Sequence, residues 1–121
     1  MVFTKVFRCD KPTLSGRIYT KEVLGEAIDK FRDRINSGRA IGTINGVFGE
    51  VDLLRASHII INVKEVEEGF EFIGKTLNTP LGIVLASNID NVNIVPRGYG
   101  TMDENNKVDT LELISFDFIG V

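Results

Sequence analysis

One helical period constrains this sequence more than any other feature. Val23, Leu24, Ala27, Ile28, Phe31 and Ile35 recur at the spacing that aligns side chains on one face of an α-helix. Thr20 precedes them as a hydroxyl N-cap, and Asn36-Ser37-Gly38 follows as a stop, because glycine enters the left-handed region at little cost. A single amphipathic helix of this kind must lay its apolar face on something, and the rest of the chain offers mostly short β-type segments.

Those segments follow in order. Val2–Arg8 alternates as a strand, and Lys11-Pro12-Thr13-Leu14-Ser15-Gly16 is rich in turn formers. Gly42, Gly46 and Gly49 punctuate a loop, after which a strand is expected near Phe48 to Leu53. Ser57 to Glu65 reads as a strand whose Ile59-Ile60-Ile61 centre is expected to be buried on both faces. Glu67-Glu68-Gly69 turns the chain into Phe70–Leu77, where Phe70, Phe72 and Ile73 predict a hairpin partner. Thr79-Pro80 opens a shorter helix with Leu81, Val84 and Leu85 as its apolar stripe. A strand over Val92–Val95 leads into an Arg97-Gly98-Tyr99-Gly100 turn, Asp103–Lys107 is a polar loop, and Val108–Ile119 closes with alternating Leu111, Leu113, Ser115 and Asp117. The expected fold class is α+β: a β-rich single domain over residues 1–121, a small distorted barrel with about two helices.

A chain of 121 residues closes one core and leaves no room for a second domain. The net charge of −3 and pI near 5.1 supply no basic face to displace counterions, so neither nucleic acid nor an anionic membrane surface is an expected partner. Arg32, Arg34 and Arg39 read as the solvated end of a helix. Cys9 is the only cysteine, which excludes an internal disulfide and fits an inert, buried thiol. The N-terminus lacks the pattern of a signal peptide, and no apolar run reaches the roughly 18 residues of a membrane span.

The side chains that carry chemistry are sparse. One histidine, His58, and one cysteine far from it give no zinc pattern. Asp103-Glu104-Asn105-Asn106 with Asp109 lacks the glycine and terminal glutamate of a calcium loop. No Lys-Ser or Lys-Thr pair follows the glycines, so they form no phosphate cradle. No metal and no cofactor is expected. Glu65, Glu67 and Glu68 read as a turn kept soluble by charge. Exposed aromatics would mark a protein interface, with Tyr19, Tyr99 and Phe3 as candidates.

Four stretches occur in an order that resembles the prohead maturation proteases of tailed bacteriophages, relatives of the herpesvirus assembly proteases. Ser15-Gly16-Arg17-Ile18-Tyr19-Thr20-Lys21-Glu22-Val23-Leu24 is similar to that family's "NGRIYPxEVL", and Ala56-Ser57-His58-Ile59-Ile60 to its "ISHxI" strand. Thr79-Pro80-Leu81-Gly82 is similar to its "TPxG" helix start, and Ile94-Val95-Pro96-Arg97-Gly98-Tyr99-Gly100 to the strand ending in Ser-Ser-Arg-Gly that holds the nucleophile. Val95 and Pro96 stand where the family has its serines, and neither can attack a carbonyl. The "GELGHP" loop that supplies the family's catalytic histidine falls at Gly42-Thr43-Ile44-Asn45-Gly46-Val47, where there is none. His58 matches the "SH" strand instead, and reads as a hydrogen-bonded strand histidine. The chain ends where family members continue, which suggests a truncated member of the family.

The resemblance implies a pseudoenzyme, with Val95, Pro96 and Gly98 as degenerate active-site positions and Gly98 keeping the shape of the oxyanion turn. Pro96 also removes an amide donor from it. The expected function is a catalytically inactive, structural or protein-binding component of a phage virion, whether capsid, tail or assembly factor. Its partners would be other phage structural proteins in an oligomeric assembly, and its location the virion or the host cytoplasm. Arg97, Tyr99 and Tyr19 are the candidate protein-binding residues. A second reading is a protein that sequesters a small anionic ligand or signalling nucleotide through Arg17 and Arg97, with Tyr19 or Tyr99 stacking on a base. A third is a residual serine peptidase that pairs Ser87 with His58; Ser57 lies near a motif position but not at the nucleophile's place.

Overall fold

Two antiparallel sheets, a four-stranded and a two-stranded one, curl around the helix predicted from the central period. The structure is a computed structural model and describes residues 1–45 and 51–120. Its elements are β1 (Val2–Arg8), α1 (Lys21–Asn36), β2 (Ile41–Gly42), β3 (His58–Val66), β4 (Gly69–Thr76), α2 (Pro80–Asn88), β5 (Val92–Met102) and β6 (Val108–Gly120), with 3-10 turns at Leu53–Arg55 and Ile89–Asn91. The first sheet has the order β1-β4-β3-β2, and β5 pairs with β6 in the second. The result is a small α+β domain, a distorted half-barrel with two helices, as the sequence predicts.

Helix α1 forms where cap, period and stop agree. The Thr20 hydroxyl accepts the Val23 amide at 3.2 Å, and Gly38 leaves the helix at φ 72°. The helix buries Leu24, Ala27, Ile28, Phe31 and Ile35. Phe31 meets Phe116 of β6 edge to face at 5.5 Å, and Phe116 lies 4.4 Å from Phe72 of β4, so one aromatic column ties helix and both sheets together. Burying each such ring stabilises the fold by about 2–3 kcal/mol.

The sheets are joined along β6. The Phe118 amide donates to Thr43 O at 2.9 Å, and the Asn45 amide donates to Phe118 O at 2.8 Å, so residues 43–45 flank β6 on the side opposite β5. Gly42 is fixed by this junction: a Cβ there would collide with Phe116 O and the His58 ring. β1, by contrast, has no main-chain hydrogen bond to β5 among the described residues, and the barrel stays open between them.

Several expectations are corrected. Of the strand expected near Phe48 to Leu53, residues 48–50 lie outside the described residues. Val51 and Asp52 are not in a strand, and Leu53 begins a 3-10 turn because the Asp52 carboxylate accepts the Leu54 amide at 2.9 Å and curls the chain. In β3 only one face of the isoleucine run is buried: Ile60 is 1% exposed and Ile61 48%, since the outer face of this sheet meets water. In α2 the buried residues are Gly82 and Leu85, and Val84 points outward. The turn expected at Arg97–Gly100 is instead the middle of β5, with a bulge between Arg97 and Gly98. Gly98 and Gly100 are needed there because a Cβ on either would strike a β6 carbonyl, that of Glu112 or Thr110.

Candidate functional site

β5 carries the residues at which the sequence resemblance places a nucleophile, and β6 fixes where they point. In the β5–β6 register Val95 pairs with Asp117 and Arg97 with Ser115, so these four side chains share one face. The opposite face sends Ile94, Phe116 and Phe118 into the core. Main-chain directions follow from the same register. Phe118 spends its amide and carbonyl on residues 43–45, so its partner Ile94 directs both groups away from β6, as do Val92 and Pro96. Proline is accommodated at 96 because its missing N–H lies on this outer edge, where the ladder needs no donor.

Asp117 organises the shared face. It is 1% exposed, and it accepts the Ser115 hydroxyl at 2.8 Å, the Thr43 amide at 3.1 Å and the Arg97 guanidinium Nε. A buried carboxylate is tolerated only when paired and hydrogen-bonded, and these donors meet that condition. Three positions therefore converge: the strand residue Val95, the described part of the loop that would supply a base (Gly42–Asn45), and a carboxylate. Only the carboxylate has an acid–base side chain, and both its oxygens already accept hydrogen bonds. The Thr43 hydroxyl, also buried, has no hydrogen-bond partner among the described residues.

His58 is fully buried, and both its ring nitrogens are engaged. Nε2 lies 2.7 Å from Phe116 O, which can only accept, so the neutral ring carries its proton on Nε2. Nδ1 then accepts the Ser57 hydroxyl at 2.8 Å. Phe3 and Phe118 pack edge-on against the ring. Burial pushes the His58 pKa down to about 4 against the hydrogen bond to Phe116 O and the nearby Asp117, which raise it. Cys9 is buried, and its thiol is raised to about 11 by desolvation first and Asp10 second, as expected of an inert thiol.

The remaining candidates separate. Tyr99 is 55% exposed and borders a cleft between α1 and the β5–β6 hairpin. Tyr19 is corrected to the core: it is 6% exposed and stacks edge to face on Phe7 at 5.7 Å, so it offers no surface ring. Phe3, 5% exposed, is also interior. Arg97 pairs through its Nε with Asp117, so this candidate for protein or anion binding is anchored beside that carboxylate. Arg17 and Tyr19 do come together beside Gly98, but around a space of 110 Å³, well below the roughly 300 Å³ at which ligand pockets begin. The structure does not pair Ser87 with His58: Ser87 is exposed on α2 with its hydroxyl donating to Ile83 O, and both His58 ring nitrogens are engaged elsewhere. Among the described residues no group of three or more His, Cys, Asp or Glu is placed to hold a metal. Asp103 accepts the Asn105 and Lys107 amides at 2.8 and 3.0 Å, which makes its loop a hairpin turn.

Val95 also borders an open groove of 520 Å³ between β1 and β5. The groove is lined by Val6, Phe7, Pro12, Leu14, Ile94 and Ile119, among others. Sequence reasoning missed Asp117 and this groove. The signal for Asp117 was one acid inside the apolar run from Leu113 to Phe118; the groove depends on two edges 84 or more residues apart (Arg8 to Val92) and had no local signal.

No family model and no curated protein sequence matches this chain. Among solved structures, the capsid assembly protease of bacteriophage T4 matches with a TM-score of 0.86 at 19% identity, over 99% of this chain and 82% of that one. The chain thus has the fold of a phage capsid assembly protease.

Two outcomes are expected. Replacing Arg97 with alanine strands a buried carboxylate and is expected to cost about 3 kcal/mol in urea unfolding, whereas Tyr99→Ala leaves stability within about 0.5 kcal/mol. For His58 the folded pKa lies below the unfolded value, so its contribution is complete above about pH 6.5 and is lost as pH falls toward 4. The loss amounts to about 3 kcal/mol. Unfolding curves between pH 7 and 4 should show that part of the slope vanish in His58→Asn, and an unchanged slope in the variant would remove His58 as its source.

Proposed function

We propose that this chain is a catalytically inactive, capsid-protease-like phage protein that binds other protein chains as a structural or assembly component of the virion. In this reading an extended segment of the partner docks in the groove between β1 and β5. The observation that carries it is the coincidence of two strand edges, unpaired among the described residues, with Val95 and Pro96, the positions at which the sequence resemblance places a nucleophile.

The edges are defined by main-chain parity. Thr76 donates to Met1 O and Cys9 donates to Glu68 O, both at 2.9 Å, so odd-numbered residues of β1 face β4. Thr4, Val6 and Arg8 therefore turn their amides and carbonyls outward. On β5 the Ile94 amide and carbonyl and the Pro96 carbonyl face out likewise, while Val92 O is already taken by the Lys5 ammonium at 3.1 Å. That bond holds the two edges together at one end of the groove. An added strand would satisfy these groups at about 1 kcal/mol per hydrogen bond, and the lining, apolar at Val6, Leu14 and Ile119 and polar at Arg8, Lys11 and Asn93, would take its alternate side chains.

Inactivity has a chemical basis in this reading. Val95 and Pro96 have no nucleophilic atom, and the neighbouring carboxylate is committed to Arg97, Ser115 and Thr43. What remains of such a scaffold is its capacity to hold a chain without cutting it.

A fluorophosphonate probe is expected to leave the chain unlabelled, and quantitative mass spectrometry of purified particles to find it at a fixed ratio to the major capsid protein. Val6→Pro deletes an outward amide without touching the β1–β4 ladder, so it should weaken partner association and preserve the fold. Labelling by the probe, or association untouched by Val6→Pro, would contradict the proposal.

A further inference from the structure

Helix α2 is apolar around most of its circumference, with Ser87 and Asn88 its polar residues at the C-terminal end, but covered on one side only. Its nine residues include no charged side chain. Leu85 and Gly82 face the interior, while Ile83 and Val84 are 60% and 51% exposed. A helix that is hydrophobic all round is ordinarily buried all round. The 3-10 turn at Leu53–Arg55 lies against the start of this helix. The Thr79 hydroxyl accepts the Gly82 amide at 3.0 Å and donates to Ala56 O, and the Leu77 amide donates to Ser57 O at 3.0 Å. That turn adds Leu53 and Leu54, 76% and 84% exposed. Four large apolar side chains therefore stand in water on two elements that are bonded together, bordered by charged and polar residues. Patches of this composition mark protein interfaces.

We propose that α2 packs antiparallel against α2 of a second copy of this chain across a two-fold axis, with Leu53 and Leu54 widening the contact. The charges select this occupant. With no ionised group on α2, the helix can face itself without opposing like charges. Arg55 is exposed beside the N-terminal end of α2, and Asp90 is exposed two residues past its C-terminal end. Antiparallel pairing sets Arg55 of each protomer against Asp90 of the other, and the two-fold axis makes both pairs at once. Asp52 at the same end already has its carboxylate on the Leu54 amide. The helix ends agree with this arrangement, since each positive N-terminus meets a negative C-terminus. The surface is separate from the β1–β5 groove, and this inference does not depend on the proposed function.

Sedimentation velocity on the purified full chain over a range of about 5 to 500 μM tests it. The expected result is a concentration-dependent monomer–dimer equilibrium that Ile83→Lys with Val84→Lys abolishes, with the thermal midpoint unchanged at concentrations where both proteins are monomeric, because both side chains point into solvent in the monomer. Arg55→Asp should weaken the dimer about tenfold, and adding Asp90→Arg should restore it. A chain that stays monomeric throughout, or a dimer insensitive to the α2 double variant, overturns the proposal. Failure of the charge swap to restore affinity overturns the antiparallel arrangement.

Discussion

The junction along β6 holds the rest of this structure in place. Within a few residues this strand bonds β5 on one side and residues 43–45 on the other, accepts the His58 ring through Phe116 O, and presents Asp117 to Arg97, Ser115 and Thr43. The four-stranded and two-stranded sheets meet there, with the Phe31–Phe116–Phe72 column behind them. A junction made of a buried ion pair, a buried histidine and close backbone contact tolerates little change, because each member left alone becomes an unpaired polar group in an apolar interior. Its rigidity is also what allows the opposite side of the barrel, between β1 and β5, to stay open without the fold collapsing.

In the proposed function, that division is what lets a protease-like fold be kept without its chemistry. The carboxylate beside Val95 serves the junction, and Arg97-Gly98 is retained for packing: Arg97 neutralises Asp117, and Gly98 lets the Glu112 carbonyl approach. Neither residue needs a reaction to account for it. The open edges, by contrast, have no structural justification among the described residues. Exposed strand edges invite aggregation and are normally blocked, as β5 is in part by Pro96 and by the Lys5 bond to Val92 O. An edge left open next to a groove of mixed apolar and polar lining fits a protein whose edge is filled by something else.

Much of this was legible in the sequence where several local signals agreed. α1 was readable because cap, period and stop coincided, and β1, the β3–β4 hairpin and the Asp103–Lys107 turn because alternation met turn residues. His58 read correctly as a hydrogen-bonded strand histidine, because it matches the "SH" strand of the resembled family and not the loop that supplies a base. The misreadings share one physical cause, which is that tertiary contacts decided the outcome. Gly98 and Gly100 looked like a turn, yet they are glycines because β6 carbonyls pass close by. Ile59–Ile61 looked doubly buried, but nothing covers the outer face at Ile61. Tyr19 looked like a surface aromatic and is instead held in the core by Phe7. The groove lies between strands far apart in sequence, so no local pattern could announce it.

Amide hydrogen exchange reads, residue by residue, whether the β1 and β5 edges receive an extended partner segment. It would be measured on the chain alone and on the chain incorporated in purified particles. The account predicts that the amides of Thr4, Val6, Arg8 and Ile94 exchange freely in the isolated chain and gain protection in the particle, while those of Phe3, Lys5 and Phe7, already bonded to β4, change little. Equal exchange at Thr4, Val6, Arg8 and Ile94 in both states would contradict it.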